Sequence, residues 1–363
     1  MAFTEYGPNH PLAVRLWAKR LFVESLRETY IDRFIGMSEK NSIIFMKDEL
    51  TKSAGDRVTM GLRLQLLGAG TAGDNTLEGN EEALATYNDT IIIDQLRHAV
   101  RSKGKMSEQR VPFSVRQESM DGLKDWWADR LDTWFFNQIC GFTAQVDVRY
   151  TGMQAVLAPD ATHLFRPNSK TTDESLTTGD EFTLAHIDRM VARAKSWQST
   201  VNGTVPIRPV RYKGGDYYVM FVHPYQTFQL RTNTNAGQWA DLQKSRLLGS
   251  GSDDNPIFTG GSFLGIYNGV VMHESARVTN GVHSTTGAAV SNVRRAVLCG
   301  AQAAIMATGR DDTGPEKMNW VEELFDYNNQ LGVAAGMIAG LKKTQFNAQD
   351  FGTIVFATYS PQP

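Results

Sequence analysis

The stretch RVTMGLRLQLLGAGTAG, residues 57–73, joins an alternating apolar pattern to a glycine-rich end. Val58, Met60, Leu62, Leu64 and Leu66 share one face of an extended chain, which predicts a long, half-buried strand. The run TIIIDQLRHAVRS, residues 90–102, predicts a second strand. We expect a hairpin of strands about eleven residues, or roughly 36 Å, long, which would project from a body with a radius of gyration of only ~21 Å. A two-stranded ribbon is marginally stable alone, so its apolar face must be covered elsewhere. That cover is either its own domain or a neighbouring subunit.

The connection between these strands, residues 68–89, is longer than the ~12–15 residues of a passive loop, which indicates a function. Its GAGTAG matches the dinucleotide fingerprint G-x-G-x-x-G, but that fingerprint requires an amphipathic helix opening at the last glycine. Here Gly79 interrupts any such helix, and Asp74 would face the pyrophosphate charge. We therefore interpret GAGTAG as a flexible hairpin tip.

Composition indicates a globular chain without a strong charge bias. The 363 residues are 41% hydrophobic and 21% charged with a net charge of −2, which excludes a disordered chain and a general attraction to nucleic acid. Cys140 and Cys299 show no CxxC spacing, and the HES at 273–275 is followed by Arg277 rather than by the second histidine of a zinc-binding helix. The sequence predicts no catalytic, cofactor-binding or metal site, and no cofactor.

Helical periodicity is strongest after Pro112. A broad apolar stripe there predicts a long helix that ends at Gly141, with these side chains in the core: Leu123, Trp127, Leu131, Trp134, Phe135 and Ile139. Further helices are predicted over residues 12–35, 181–197 and 291–309, the last rich in small residues. The glycine-spaced run LGVAAGMIAGL, 331–341, predicts a close-packed core segment too short to span a bilayer.

Other segments predict strands. They are residues 217–223, which turn through Pro224 into a short helix, residues 263–278, which contain an Asn268-Gly269 turn, and residues 351–360. Helices and strands do not alternate regularly along the chain. The fold class is therefore predicted as α+β.

Four blocks of the chain carry a family resemblance: GDRVTMGLRLQLLGAGTAGDNTLEGNEEAL (55–84), VHPYQTFQLR (222–231), LCGAQAAIMATG (298–309) and FDYNNQLGVAAGMIAGLKKTQFNAQDFGTIVFAT (325–358). They resemble the major capsid protein of tailed bacteriophages, and most closely the N-four-type capsid family, which is assigned the Hong Kong 97-type fold. The likeness extends from about residue 12 to the end of the chain.

This resemblance implies five parts. They are an N-terminal arm (1–54), an extended E-loop hairpin (55–106, its strands within Arg57 to Arg101), a peripheral domain with a spine helix (107–159), an axial domain (160–320) and a returning peripheral segment (321–363). The resemblance also implies that the E-loop contacts a neighbouring subunit. We expect those contacts at Arg57, Thr59, Arg63, Gln65, Gly68, Gly70, Gly73, Asp74, Glu78, Glu81 and Glu82.

The function implied is self-assembly, in hexamers and pentamers, into the icosahedral head shell around double-stranded DNA. The expected partners are further copies of the chain, a separate scaffolding protein, a portal and a cement protein, with assembly in the host cytoplasm and no membrane. No lysine occurs between Gly68 and Asp89, so we expect noncovalent contacts rather than the isopeptide bond of the founding member. The alternatives are an encapsulin-type compartment shell and, from another class, an oligomeric enzyme with an unrecognised site.

Overall fold

The computed structural model describes residues 21, 24–25, 29–37, 41–48, 55–63, 66, 68–84, 86–112, 114–197, 206–212, 214–233, 244, 262–309 and 317–363. The strands among them are β1 (Ile35–Gly36), β2 (Ile44–Lys47), β3 (Arg57–Arg63), β4 (Thr86–Ile92), β5 (Asp94–Arg101), β6 (Leu164–Phe165), β7 (Val210–Tyr212), β8 (Gly215–Val222), β9 (Phe263–Tyr267), β10 (Val270–Glu274), β11 (Asn280–Val282), β12 (Ala289–Cys299), β13 (Ala304–Thr308), β14 (Met318–Phe325), β15 (Gln330–Lys343), β16 (Gln345–Phe346), β17 (Gln349–Asp350) and β18 (Thr353–Tyr359). The α-helices are α1 (Lys105–Gln109), α2 (Val115–Ile139), α3 (Leu184–Ser196) and α4 (Pro224–Asn233).

The first sheet is built around β15, whose residues 332–337 pair with β5 along one edge and with β14 along the other. Its order is β1-β2-β13-β15-β14, with β5 paired to β15. The glycine-spaced run 331–341 is therefore a buried strand, as its prediction of a close-packed core segment requires. At Gly340 a Cβ atom would lie 2.1 Å from the Ile92 carbonyl oxygen, so glycine is needed where the hairpin approaches the sheet.

The second sheet has the order β6-β18-β12-β8-β10-β9, with β11 paired to β12 and β7 to β8. The prediction of a helix over residues 291–309 is wrong, because that segment forms β12 in the second sheet and β13 in the first. From Arg295 to Cys299 in β12 and throughout β13 the residues are buried on both faces, which removes the alternation that would have marked these segments as extended. The sheets cut across the predicted domain boundaries, since β13 lies in the first sheet and β18 in the second.

Helix α2 packs into a core that draws on both sheets. Ser114 caps its first turn by accepting a hydrogen bond from the Gln117 backbone N–H, and Gly141 (φ +62°) follows its end, as the sequence predicts. All six side chains predicted for its core are buried, and Phe135 packs edge-on against Phe221 of β8 at 5.6 Å between ring centroids. The aromatic stripe thus serves to hold the two sheets together.

The structure differs from the leading helix predicted over residues 12–35 at the C-terminal end of that segment. Residues Tyr30–Phe34 form a 3-10 helix and β1 follows directly, so the regular helix ends before Thr29. Ile31 and Phe34 are buried at this turn, and packing against α2 and β10 overrides the helical period. Most of the remainder of that prediction lies outside the described residues.

The predicted helix over 181–197 is α3, with Leu184, Ile187, Val191 and Ala194 buried. Pro224 opens α4 after β8, and Asn268-Gly269 turns β9 into β10, as predicted. The tail strand is β18. No helix in the described part of the chain is long and apolar enough to cross a membrane.

Candidate assembly surface

The hairpin of β3 and β4 is shorter than predicted. Its seven residue pairs run from Arg57 with Ile92 to Arg63 with Thr86, which corresponds to strands roughly 23 Å long rather than about 36 Å. The prediction of strands about eleven residues long is wrong because the run 90–102 divides at Ile93. The second half of that run leaves the hairpin and joins the first sheet as β5.

The apolar face of β3 lies on its own chain. Val58 and Met60 pack with Ile91, Phe45 and Ile305, and Leu62 forms a second cluster with the aromatic rings of the β16–β17 turn. The sequence left open whether this face is covered by its own domain or by a neighbour. In the structure this face is covered by the chain's own domain, so the apolar face of β3 is not the intersubunit contact.

A buried carboxylate fixes the middle of the hairpin, where Asp89 pairs with Met60. Asp89 on β4, 8% exposed, accepts hydrogen bonds from the Lys342 ammonium and from the Gln345 backbone N–H, the latter at 3.0 Å. Lys342 also donates to the Thr90 carbonyl at 3.2 Å. Charge-assisted bonds of this kind are stronger than neutral ones, so the hairpin leaves the body at a defined position.

The tip, residues 68–84, contains no helix or strand and is exposed almost throughout. Two of its own carboxylates shape it: the Gly68 backbone N–H donates to Glu82 at 2.6 Å, and the Gly79 N–H donates to Glu81 at 2.8 Å. Gly70 has a φ of +73°, a conformation that favours glycine. The absence of a helix after GAGTAG agrees with the interpretation as a hairpin tip.

The residues predicted to make E-loop contacts fall into three groups. Arg57 and Thr59 are exposed on β3, and Arg63 is its last residue, whereas Gln65 lies outside the described residues. The others lie exposed along the tip: Gly68, Gly70, Gly73, Asp74, Glu78, Glu81 and Glu82. The structure thus places the described members of the set along one exposed hairpin.

Sequence reasoning missed Leu77 and Leu84 at this hairpin end, and its placement of Leu66 on the half-buried face of the strand is wrong. Leu66, Leu77 and Leu84 are 56%, 61% and 59% exposed. Large apolar side chains among glycine, asparagine and glutamate residues were the available signal, because a loop of that composition has no core in which to bury them. Residues 68–84 also carry four carboxylates and no lysine or arginine. The tip therefore offers an acidic surface with separate apolar contacts.

A buried ionic cluster joins α2 to the second sheet. Asp173, fully buried, accepts hydrogen bonds from Arg166 at 2.7 Å, from Arg295 at 2.9 Å and from the Val282 backbone N–H at 2.9 Å. Arg295 on β12 also donates to the Gly141 carbonyl at 2.7 Å, just beyond the end of α2. Because every partner is satisfied, the charges can be buried without an unpaired group.

A second buried carboxylate links α2 to the segment before β1. Asp132 accepts hydrogen bonds from the backbone N–H groups of Tyr30 and Ile31, both at 3.1 Å. Burial raises the pKa of Asp132 to about 6, although these bonds and the nearby Arg277 act in the opposite direction. Ionisation of this carboxyl therefore bears on how firmly the segment is held.

Within the described residues, no group of three or more histidine, cysteine, aspartate or glutamate side chains could hold a metal ion. The chemistry that these surfaces offer is contact and charge.

Comparison with solved structures defines the class. The capsid of Ralstonia phage GP4 superposes with a TM-score of 0.81 at 33% identity, covering 100% of this chain and 96% of that one. The Cyanophage Pam1 capsid has the same fold, with a TM-score of 0.69 at 20% identity over 100% of this chain and 95% of that one. The architecture is the Hong Kong 97-type fold of phage capsid subunits, of class α+β as predicted.

Comparison of sequences gives the family. A family model described as phage capsid protein matches residues 5–362. The major capsid protein of Pseudomonas phage KPP25 is 31% identical over 373 residues, covering 93% of each chain. The chain therefore belongs to the phage capsid protein family, and it is a structural subunit of the phage head shell.

Proposed function

We propose that many copies of this protein, arranged in hexamers and pentamers, form the icosahedral head shell of a tailed phage around double-stranded DNA, with residues 68–84 of each copy contacting a neighbour. One observation carries the proposal. The tip exposes Leu77 and Leu84 at the end of a hairpin that Asp89 fixes on the body, so it offers a neighbouring copy apolar groups to cover. Assembly in the host cytoplasm is part of the same proposal.

Each of the two large sheets is proposed to correspond to one domain. We propose the first sheet together with α2 as the peripheral domain and the second sheet with α3 and α4 as the axial domain. Of the predicted arm (1–54) we propose the part before β1 as the arm, and of the predicted E-loop (55–106) we propose residues 57–92 as the E-loop. Strands β1, β2 and β5 pair in the first sheet and so belong to the peripheral domain. The predicted boundaries, 107–159, 160–320 and 321–363, then change at two strands. Strand β13, within 160–320, belongs to the peripheral domain, and β18, within 321–363, belongs to the axial domain.

Contacts at the tip are proposed to be noncovalent. The absence of lysine between Gly68 and Asp89 supports this, since an isopeptide bond needs an amine. The apolar and acidic groups of the tip contribute weak contacts that are repeated over many copies. A portal, a scaffolding protein and a cement protein are partners proposed from the family resemblance alone.

Sedimentation of the purified full chain tests the proposal. We expect particles in the megadalton range, and we expect the variant Leu77→Asp/Leu84→Asp to remain as small species, because each charge would have to be buried at the contact. Val146→Asp is the control, since Val146 is 85% exposed outside the tip. Unimpaired assembly of the double variant would contradict a role for the tip, and a small defined oligomer of the unaltered chain would contradict the shell.

A further inference from the structure

A cavity of about 330 Å³ lies between the segment 161–170 and helix α3. Its apolar wall includes Phe165 and Phe356. Four cationic side chains complete the wall: Arg166, Lys170, Arg189 and Arg193. Among the described residues that line this cavity, none carries a carboxylate. A concave site with one sign of charge attracts anions more strongly than a flat surface does.

Two of the arginines lie on one face of α3. Arg189 and Arg193 are four residues apart, a spacing at which like charges repel and destabilise a helix. The Arg193 guanidinium stacks on the Phe165 ring at 3.9 Å from the ring centroid. Stacking uses the face of a guanidinium and leaves its N–H edge to donate, so a bound anion would relieve the repulsion and accept these hydrogen bonds.

The opposite wall is held in place by polar contacts and an unusual backbone. Arg166 donates to the buried Asp173 at 2.7 Å, which fixes its position at the cavity. Asn168 and Ser169 have φ values of +50° and +56°, in the left-handed region that residues with side chains seldom adopt. Asn168 is secured by a hydrogen bond to Asp180 at 2.7 Å. Such strained segments cluster at ligand sites, and this one presents Lys170 to the cavity.

We propose that this cavity is a phosphate-binding site. Arg166 shares its charge with Asp173, but Lys170, Arg189 and Arg193 add three further cationic groups, which supply more donors than a single carboxylate can accept. A phosphate offers three or four oxygens and up to two charges. The volume suits a pyrophosphate or a mononucleotide, and a backbone phosphate of nucleic acid could reach the exposed rim at Arg189 and Arg193. The site goes beyond the shell function and does not depend on it.

Isothermal titration calorimetry of the full chain at low salt tests the proposal with pyrophosphate and, separately, a short DNA duplex. We expect Arg189→Gln and Arg193→Gln each to weaken binding about tenfold, as the loss of a charge-assisted hydrogen bond does. Lys195→Gln is the matched control, because it removes one charge from the exposed part of the same helix outside the cavity. We expect it to change the affinity by less than about twofold.

The two probes separate the sources of phosphate. Pyrophosphate binding alone identifies a free phosphate compound, and duplex binding with the same sensitivity to Arg189→Gln identifies the nucleic acid backbone. The proposal is overturned if neither probe binds or if Lys195→Gln weakens binding as much as Arg189→Gln. Equal affinity for the dicarboxylate glutarate would also overturn it, since the cavity would then fit a protein carboxylate.

Discussion

At the residue scale, the buried carboxylates decide how the layers are joined. Asp173 satisfies two arginines in the interior, and removal of one member of such a cluster leaves a buried charge without its partner. We expect Asp173→Asn to lower the free energy of unfolding by about 3–5 kcal/mol, measured by denaturant unfolding. The control is Asp216→Asn, because the Asp216–Arg211 pair is exposed and is worth only about 0–1 kcal/mol. Equal losses in the two variants would contradict the structural role of Asp173.

Asp132 makes the free energy of unfolding depend on pH with a sign opposite to that of an ordinary ion-paired carboxylate. Its pKa is raised from 3.8 to about 6, so between these values the folded chain keeps a proton that the unfolded chain has lost. Stability contributed by this group therefore falls as the pH rises from about 4 to about 6, by up to about 3 kcal/mol. We expect Asp132→Asn to lose that dependence in unfolding curves at several pH values. Asp125→Asn, on the same helix but exposed and not among the charges that act on Asp132, should retain it.

At the element scale, the hairpin combines strands β3 and β4, which pack on their own chain, with an exposed tip, residues 68–84. We expect Asp89→Ala to speed amide hydrogen exchange in β3 and β4 by roughly 10- to 100-fold, because a buried carboxylate loses its bonds to Lys342 and Gln345. Asp74→Ala at the tip is the comparison and should leave those amides unchanged. If both variants exchange alike, Asp89 does not hold the hairpin.

Local pattern was sufficient wherever one face of an element is buried. The alternation of Val58, Met60 and Leu62 predicted β3, since it reports a single buried face. The stripe of Leu123, Trp127 and Leu131 likewise predicted α2, although the last turns of that helix, from Trp134 to Ile139, are buried on all sides. Local pattern failed for β13 and for the second half of β12, Arg295 to Cys299, which are buried on both faces and so show no period. It also failed at Ile93, where the run 90–102 divides between β4 of the hairpin and β5 of the first sheet. That division depends on the pairing of β5 with β15, more than two hundred positions away in the sequence.

At the scale of the whole molecule, the family resemblance carried information that the residues alone did not. The glycine-rich tip was recognised from its missing helix, but the arrangement of two sheets around α2 depends on long-range pairing that no local pattern shows. The cavity beside α3 was not predicted either, because its cationic groups come from segments about twenty residues apart. Sites assembled by folding leave little trace in one sequence.

The noncovalent character of the shell is a prediction at this scale. Particles boiled in SDS should release the chain as a single band near its mass of 40.3 kDa, because the tip has no lysine to form an isopeptide bond. The check is denaturing electrophoresis of purified mature particles. A ladder of covalent multimers would contradict it.

The central claim is that the tip of each subunit contacts another copy while the base of the hairpin packs on its own chain. Cryo-electron microscopy of purified particles measures this most directly, because it shows which copy surrounds residues 68–84. We predict a closed shell in which Leu77 and Leu84 lie against a neighbouring subunit and Val58 and Met60 stay covered by their own. A map in which the tip contacts only its own chain, or faces solvent on every subunit, would contradict the account.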